Sequence, residues 1–350
     1  MTADIRVTGS ATRVAVLGAG SWGTTFAKIL ADAATASGVE RDIRLWGRRA
    51  EVVEQINVKH RNEQYLKDIA LPPTISASTN VAEVLAGADL VVLAVPAQTL
   101  RPQLREWKGF VEPGALVVSL MKGLELHSDA RMSEAICEEL GIPAEQVAVV
   151  SGPNLAMEIA REEPTASVVA CADSGAAGWV ARSCTAPYFR PYTTSDVVGV
   201  EIGGIVKNII ALAVGICEGK QMGDNTKASV ITRGLAETSR LSLALGGDAR
   251  TMAGLAGLGD LVATCSSPLS RNHTAGRLLG KGLTLEEVTA EMTQTAEGIK
   301  SAQAVNELAG KLGVEMPITA AVVAVLAGKL SVDELGPLLL SRDLKPEGDH

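Results

Sequence analysis

Two kinds of hydrophobic pattern divide the chain. Up to about residue 194, short apolar runs rich in β-branched residues alternate with stretches of helical period. The runs predict strands at Arg13–Leu17, Ile43–Trp46, Leu90–Val95, Leu116–Leu120, Val147–Val150, Ala166–Cys171 and Tyr188–Tyr192. Helices are predicted between them, among others at Trp22–Ala36, Glu51–Lys59, Val81–Ala86 and Asp129–Leu140. Such alternation needs crossover connections, and crossovers build a mostly parallel sheet. From Ser195 the strand-like runs stop. Helical segments then follow one another at Val198–Glu218, Lys227–Leu245, Leu255–Thr264, Thr274–Leu279, Thr284–Met292, Ile299–Leu312 and Ile318–Ala327. The expected organisation is an α/β dinucleotide-binding domain over 12–194 and an all-α domain over 195–342, with 1–11 and 343–350 as frayed ends.

One position breaks the apolar pattern of the second half. Lys207 has apolar neighbours at nearly every helical offset between Ile202 and Val214. A helix that is apolar all round is a buried one. A buried ammonium is costly, shifts its pKa down, or finds a carboxylate. A lysine kept there is a candidate proton donor or anion holder. The alternative is a side chain snorkelling to the surface from a helix end.

The first strand runs into a glycine turn, Val14-Ala15-Val16-Leu17-Gly18-Ala19-Gly20-Ser21-Trp22-Gly23. Gly18 allows the sharp turn, Gly20 lets a pyrophosphate approach the backbone, and Gly23 lets the helix pack on the strand. The helix start then offers free N–H groups and its positive dipole end to phosphates. The second strand ends Leu45-Trp46-Gly47-Arg48-Arg49, without the acid that takes the adenosine ribose of NAD. Two arginines there suit a 2′-phosphate and point toward NADP(H), with NAD(H) the alternative.

Three further stretches carry candidate chemistry. Lys122 and Gly123 follow a strand, where ligands of open α/β sheets bind. Ser151-Gly152-Pro153-Asn154 follows another, and Asn154 is placed to cap a helix beginning at Leu155. Glycine-dense Gly254–Gly259 leads to Asp260, a candidate partner for Lys207, and Ser270-Arg271-Asn272 offers an oxyanion or phosphate site at a loop-to-helix junction. The four histidines, His60, His127, His273 and His350, stand in no triad or metal-ligating pattern. A hydride-transfer enzyme must still move a hydroxyl proton, and Lys207 is the best candidate.

Composition narrows the class. The chain of 350 residues is 47% hydrophobic but only 3% aromatic, so its cores are aliphatic, with close backbone approach at Ala and Gly. A net charge of -8 argues against nucleic acid as a partner, and a small anion must then meet locally gathered cations. Five scattered cysteines without a CxxC pair fit a reducing compartment rather than disulfides or zinc. No signal peptide is apparent, and the apolar helix around Lys207 is marginal for spanning a bilayer. The expectation is a cytoplasmic protein with no metal. Its Ala- and Gly-rich helices would allow close pairing within one chain or in a homodimer.

Taken together, the motifs resemble the bacterial NAD(P)-dependent glycerol-3-phosphate dehydrogenases. The likeness runs from about Arg13 to Leu340 and rests on several stretches in the right order. These are Gly-Ala-Gly-Ser-Trp-Gly at 18–23, Leu-Trp-Gly-Arg at 45–48, Lys-Gly-Leu-Glu at 122–125, Ser-Gly-Pro at 151–153 and Val-Lys-Asn at 206–208. Ile-Thr-Arg-Gly-Leu-Ala-Glu at 231–237, Gly-Leu-Gly-Asp-Leu at 257–261, Ser-Arg-Asn at 270–272, Glu-Gly at 297–298 and Glu-Met-Pro-Ile at 315–318 complete it. The resemblance implies a Rossmann domain joined to a helical domain similar to that of 6-phosphogluconate dehydrogenase. It implies interconversion of sn-glycerol 3-phosphate and dihydroxyacetone phosphate with NADP(H) or NAD(H), feeding phospholipid synthesis in the cytoplasm. Lys207 would be the acid/base, with Asp260 beside it. Lys122, Gly152, Asn154, Asp260, Ser270, Arg271 and Asn272 would surround the substrate. Ser21, Trp22, Arg48, Arg49, Lys122, Ala156, Arg271, Thr295 and Glu297 would touch the cofactor, with Gly18, Gly20 and Gly23 shaping its turn. Two positions depart from the pattern: Asn154 stands where many relatives have Ser or Thr, and Thr295 where others have an aliphatic residue.

Two rival readings remain at this point. Another hydride-transfer enzyme of the same fold would act on a different hydroxy or sugar acid, although Ser270-Arg271-Asn272 favours a phosphate-bearing substrate. A non-catalytic dinucleotide-binding regulator would need only the Gly18–Gly23 turn and would have no use for Lys207, Asp260 and Arg271.

Overall fold

The computed structural model describes residues 9–126, 128–292 and 296–335. It has eight strands: β1 (Arg13–Leu17), β2 (Asp42–Trp46), β3 (Ile75–Ser78), β4 (Leu90–Leu93), β5 (Leu116–Ser119), β6 (Val147–Ser151), β7 (Thr165–Cys171) and β8 (Phe189–Thr194). They form one sheet in the order β3-β2-β1-β4-β5-β6-β7-β8. Every neighbouring pair is parallel except β6–β7, which is antiparallel. The mostly parallel sheet is the one the alternation predicts. Strand β1 shows why the runs were legible. Val14 and Val16 face one aliphatic core with Phe26, Ile29 and Leu30, while Ala15 and Leu17 face another with Val91, Leu104 and Trp107. A strand covered on both faces reads as a continuous apolar run.

Three elements of this half were missed from sequence. Edge strand β3, Ile-Ser-Ala-Ser, has only Ile75 fully buried and so carries no apolar run. Helix Leu100–Trp107 buries Leu100, Leu104 and Trp107 one turn apart, with charged residues hiding the stripe. Helix Ser174–Cys184 follows β7 and is capped by Asp173, which accepts the Ala176 N–H. The predicted helix at 129–140 begins only at Met132, because Asp129 has a left-handed φ of 58°.

The second half is helical among the described residues. Its main helices are Val197–Gly219, Asp224–Ala244, Asp260–Ser266, Arg271–Gly280, Leu285–Glu291, Glu297–Lys311 and Pro317–Leu326. Helix Val197–Gly219 is long and apolar enough to cross a bilayer, but 89% of its most apolar window is buried inside the protein. It is the central core helix of this half.

The chain divides into two units. One comprises the chain up to Met121 with Ala130–Val197, and the other comprises Lys122–Asp129 with everything from Val198. The excursion at 122–129 corrects the expectation of an uninterrupted first domain over 12–194. Leu124 is fully buried in the helical core with Ile202, Ile205 and Leu261, and this draws its segment into the second unit. A second correction concerns the start of the chain. Residues 1–8 and 343–350 lie outside the described residues, but Ala11 is buried rather than frayed. Its N–H donates to Ser183 Oγ at 3.0 Å, and its carbonyl accepts from Arg41 Nε at 2.8 Å.

Candidate active site

The glycine turn of the first unit is built as a ligand cradle. Gly18 has φ 129°, and a Cβ there would lie 2.4 Å from the Ala94 carbonyl oxygen. A Cβ on Gly23 would lie 2.0 Å from the Gly18 oxygen. Packing within the protein therefore demands both glycines. A Cβ on Gly20 would meet nothing within 4 Å, so open space for a bound group is what this position keeps. Helix Ser21–Ser37 starts at Gly20 with no side-chain cap and no acid in its first turn. Its amides and dipole are thus left for an anion. Among the described residues, the buried Trp22 Nε1 has no hydrogen-bond partner. These features fit a dinucleotide pyrophosphate.

The two arginines after β2 differ. Arg49 hydrogen-bonds to Gln64, lies 3.6 Å from Glu51 and sits over the Tyr65 ring at 5.6 Å. Arg48 is exposed and, among the described residues, has neither a hydrogen bond nor an ion pair.

Gly152 and Asn154 lie between β6 and the short helix Ala156–Ala160. Gly152 has φ 138° and packs close to Ser167. The helix is capped by the backbone of Leu155, so Asn154 does not cap it. Asn154 instead donates from Nδ2 to Ser167 Oγ at 3.0 Å, and its buried Oδ1 has no partner among the described residues. The Ala156 carbonyl accepts from Thr25 Oγ1 at 3.2 Å, which ties this segment to helix Ser21–Ser37. Thr295 lies outside the described residues.

The second unit gathers the charged residues. Lys207 is only 7% exposed, and it does not snorkel. Its Nζ bonds Asp260 Oδ1 and donates to Thr264 Oγ1 at 2.8 Å. The other oxygen of Asp260 bonds Lys122 Nζ at 2.6 Å. Asp260, 1% exposed, thus bridges two ammonium groups. At about 4 Å and an effective dielectric near 20, each such pair gains roughly 4 kcal/mol before desolvation. For Lys207 the desolvation wins. Burial pushes its pKa down from the ordinary lysine value to about 7, against the pull of Asp260 and with the help of the Lys122 charge.

Local backbone geometry aims these groups. Residues Leu255–Gly259 form a π turn rather than the start of an α-helix, and Asp260 begins the helix after it. A Cβ on Gly257 would lie 2.3 Å from the Met252 oxygen, and one on Gly203 would lie 2.6 Å from the Ala256 oxygen. Only glycines let this turn press against helix Val197–Gly219 and point Asp260 at Lys207. The same helix meets Arg271–Gly280 through glycines. A Cβ on Gly215, Gly219, Gly276 or Gly280 would lie 2.1–2.4 Å from a backbone oxygen of the facing helix.

The Ser270-Arg271-Asn272 stretch opens helix Arg271–Gly280. Ser270 is its cap and accepts the His273 N–H at 3.2 Å. Arg271 and Asn272 occupy the first two helical positions, where amides point outward along the axis. The Asn272 side chain reaches Asn208 and Gly298. Beside Gly298, the Glu297 carboxyl is pushed up in pKa by burial, against the charges of Arg271, Lys122 and Lys207. The structure thus brings together Lys122, Lys207, Asp260, Arg271, Asn272 and Glu297 within one unit. Sequence reasoning missed Thr264, one turn beyond Asp260, and gave no role to Asn208, which it quoted only as the end of Val-Lys-Asn at 206–208.

Comparison with known proteins agrees with this geometry. The model of the NAD-dependent glycerol-3-phosphate dehydrogenase N-terminus matches residues 13–177, and that of the C-terminus matches residues 196–336. The chain belongs to the NAD-dependent glycerol-3-phosphate dehydrogenase family. It is 58% identical to the NAD(P)+ glycerol-3-phosphate dehydrogenase of Thermobifida fusca over 96% of this chain and 98% of that one. It is 56% identical to that of Streptomyces griseus with the same coverage. The crystal structure of the Coxiella burnetii glycerol-3-phosphate dehydrogenase superposes with a TM-score of 0.88 at 36% identity, covering 95% of this chain and 99% of that chain. The oxidoreductase class, the nicotinamide cofactor and the Rossmann-plus-helical fold expected from the motifs are those of this family.

Proposed function

We infer that the chain interconverts sn-glycerol 3-phosphate and dihydroxyacetone phosphate, with Lys207 moving the proton of the C2 oxygen. The observation that carries this reading is the buried Lys207 bridged through Asp260 to Lys122. A dinucleotide held at Gly18–Gly23 would supply the hydride for C2 of the ketone, or would take one from C2 of the alcohol. In reduction, negative charge grows on the C2 oxygen. Lys207 as an ammonium stabilises that charge and then delivers its proton from Nζ to the oxygen. Asp260 and Thr264 fix where Nζ points, and Lys122 adds a second cation. Preorganised charge of this kind costs no reorganisation at the moment of reaction.

The phosphate end is assigned to Arg271 and the opening amides of helix Arg271–Gly280, with Ser270 as its cap. Binding this remote group orients the reacting carbon. Gly152 and Asn154 would contact the glycerol portion, where the unpartnered Asn154 Oδ1 is free to accept a hydroxyl. The cofactor is assigned to Gly18–Gly23, Arg48, Arg49, Lys122, Ala156, Arg271 and Glu297. The reading makes the chain a cytoplasmic enzyme that supplies glycerol 3-phosphate for phospholipid synthesis.

Lys207→Ala tests it. Turnover of dihydroxyacetone phosphate, followed at 340 nm, should fall roughly 10²–10⁴-fold, the range for loss of a general acid. NADPH binding should survive. Turnover near the wild-type value would sink the proton assignment.

A further inference from the structure

We propose that the buried side chain of Asn62 is a positioning residue for the dinucleotide. It fixes the direction of the peptide between Ala19 and Gly20, and with it the amide that Gly20 turns toward the pyrophosphate. The proposal deepens the functional reading and rests on it, because it takes Gly18–Gly23 as the cradle of the cofactor.

Asn62 lies in a polar run, Lys59-His60-Arg61-Asn62-Glu63-Gln64, that gives no sign of burial. In the fold it is 0% exposed. A side-chain amide has two donor hydrogens and one acceptor oxygen. Asn62 sends both donors into the glycine turn. Its Nδ2 donates to the Ala19 carbonyl at 3.0 Å and to Thr24 Oγ1 at 2.9 Å. A carbonyl only accepts, so Nδ2 and not Oδ1 must face Ala19. Oδ1 is left buried without a partner among the described residues. Native structures rarely carry such a group. Here its cost accompanies two donors committed to the turn.

Peptide geometry gives the consequence. In a planar trans peptide the C=O and the N–H point in opposite directions. Holding the Ala19 carbonyl against Asn62 therefore turns the Gly20 N–H away from Asn62. Gly20 is also the residue of this turn whose added Cβ would meet nothing within 4 Å. Thr24 belongs to the first turn of the following helix, where its N–H donates to the Gly20 carbonyl at 3.0 Å. One side chain thus holds both the turn and the start of the helix. The anchor is itself fixed. The Asn62 carbonyl accepts the N–H groups of Tyr65 at 3.1 Å and Leu66 at 2.8 Å, and Leu66 is buried in the core with Phe26 and Ile29. A second tie runs from Ser21 Oγ to the Tyr65 carbonyl at 3.3 Å. Residues 60–66 brace the turn from behind. An amide already aimed when the anion arrives avoids the cost of ordering it on binding.

NADH and NADPH share the pyrophosphate, so the test reads both. Asn62→Ala should raise the dissociation constants of the two nucleotides by a similar factor, about tenfold, as expected when a charge-assisted amide contact is misaligned. At saturating nucleotide, kcat should stay within about threefold of wild type, because the interaction lost is one of binding. Asn62→Asp keeps the shape and removes both donors. It should weaken both nucleotides at least as much, and it serves if Asn62→Ala does not fold. Gln146→Ala is the control for a merely structural role. Gln146 is also buried, and its Nε2 donates to the Ala115 carbonyl at 2.6 Å, away from the glycine turn. Its loss should lower Tm and leave both dissociation constants unchanged.

The proposal is overturned if Asn62→Ala binds both nucleotides within about twofold of wild type, or weakens NADPH alone. It is also overturned if Gln146→Ala weakens the nucleotides as much, since the effect would then be one of general stability. Gly20→Val checks the underlying reading separately. The backbone there, φ -80° and ψ -178°, suits any residue, but the side chain would fill the open space. Nucleotide binding should be lost. If Gly20→Val binds as wild type does, the cradle assignment fails, whatever the Asn62 variants show.

Discussion

Lys207 is held where either protonation state is within reach. With its pKa brought down to about 7 by burial, the ammonium that the proposed reduction calls for is present below that value and is lost as pH rises through it. The reductive kcat should therefore fall across the pH 6–8 region, while the oxidative kcat, which needs the neutral amine, rises. Profiles recorded in both directions should cross; two profiles moving together would assign the ionisation to another group. Among the residues proposed to hold the cofactor, Arg48 and Arg49 should separate. Arg49 is engaged with Gln64, Glu51 and the Tyr65 ring, whereas Arg48 projects without a partner among the described residues. A charge-assisted contact to a 2′-phosphate is worth about 1.5–3 kcal/mol. Arg48→Ala should thus weaken NADPH binding roughly tenfold or more and leave NADH nearly unchanged, by fluorescence titration. Arg49→Ala should weaken both alike. Lys207 was legible in sequence because a lone charge in an apolar helix stands out. Asn208 and Thr264 were not, because a neutral polar group beside a lysine, or one turn past an acid, looks like any other helical residue until the fold supplies its partner.

The elements carry their own constraint in the helix pair Val197–Gly219 and Arg271–Gly280. Their backbones approach so closely that a Cβ on Gly276 would lie 2.1 Å from the Leu212 oxygen. Nothing there can yield except the helices themselves. Gly276→Ala should destabilise the protein by about 1–3 kcal/mol, the usual cost of overpacking. It should also lower kcat by moving Arg271 relative to Lys207. Gly310, inside helix Glu297–Lys311, offers the contrast, because a Cβ there would meet nothing within 4 Å. Gly310→Ala should be neutral or stabilising by up to about 1 kcal/mol. Urea denaturation reads both, and equal effects would remove the close-approach argument. Periodicity predicted both of these helices but could not place their working ends. Helix Arg271–Gly280 was expected only from Thr274, because Ser270, Arg271, Asn272 and His273 are all polar and carry no apolar period. The stretch 255–264 was expected as one helix, because a π turn spaces its apolar residues much as an α-helix does.

Over the whole molecule the balance of charge is acidic, and two of the buried acids have distinct tasks. Asp260 serves the two lysines. Glu237, from the Ile-Thr-Arg-Gly-Leu-Ala-Glu stretch, serves the fold instead. It is 1% exposed and sits at the N-terminus of helix Pro317–Leu326. There it accepts the Ile318 N–H at 2.6 Å, the Thr319 N–H at 3.2 Å and the Thr319 hydroxyl at 3.1 Å. It thereby joins helix Asp224–Ala244 to the helix starting at Pro317. Burial nonetheless outweighs these donors and lifts its pKa to about 7. An acid whose pKa is higher folded than unfolded binds more protons in the folded state between the two values. Its contribution is therefore most favourable below the unfolded value of about 4.5, and it is lost as pH rises toward 7. The slope is at most about 1.4 kcal/mol per pH unit. Glu237→Gln removes that titration. The substitution should cost a roughly constant amount through the lost acceptor, since Nε2 of glutamine cannot accept from Thr319. The wild-type protein should then lose stability relative to the variant between pH 5 and 7 and run parallel to it above about pH 7.5. Unfolding free energies from urea titrations at several pH values measure this difference directly. Curves parallel throughout would mean that the three donors hold Glu237 ionised at every pH, so that the cap, and not burial, governs its charge.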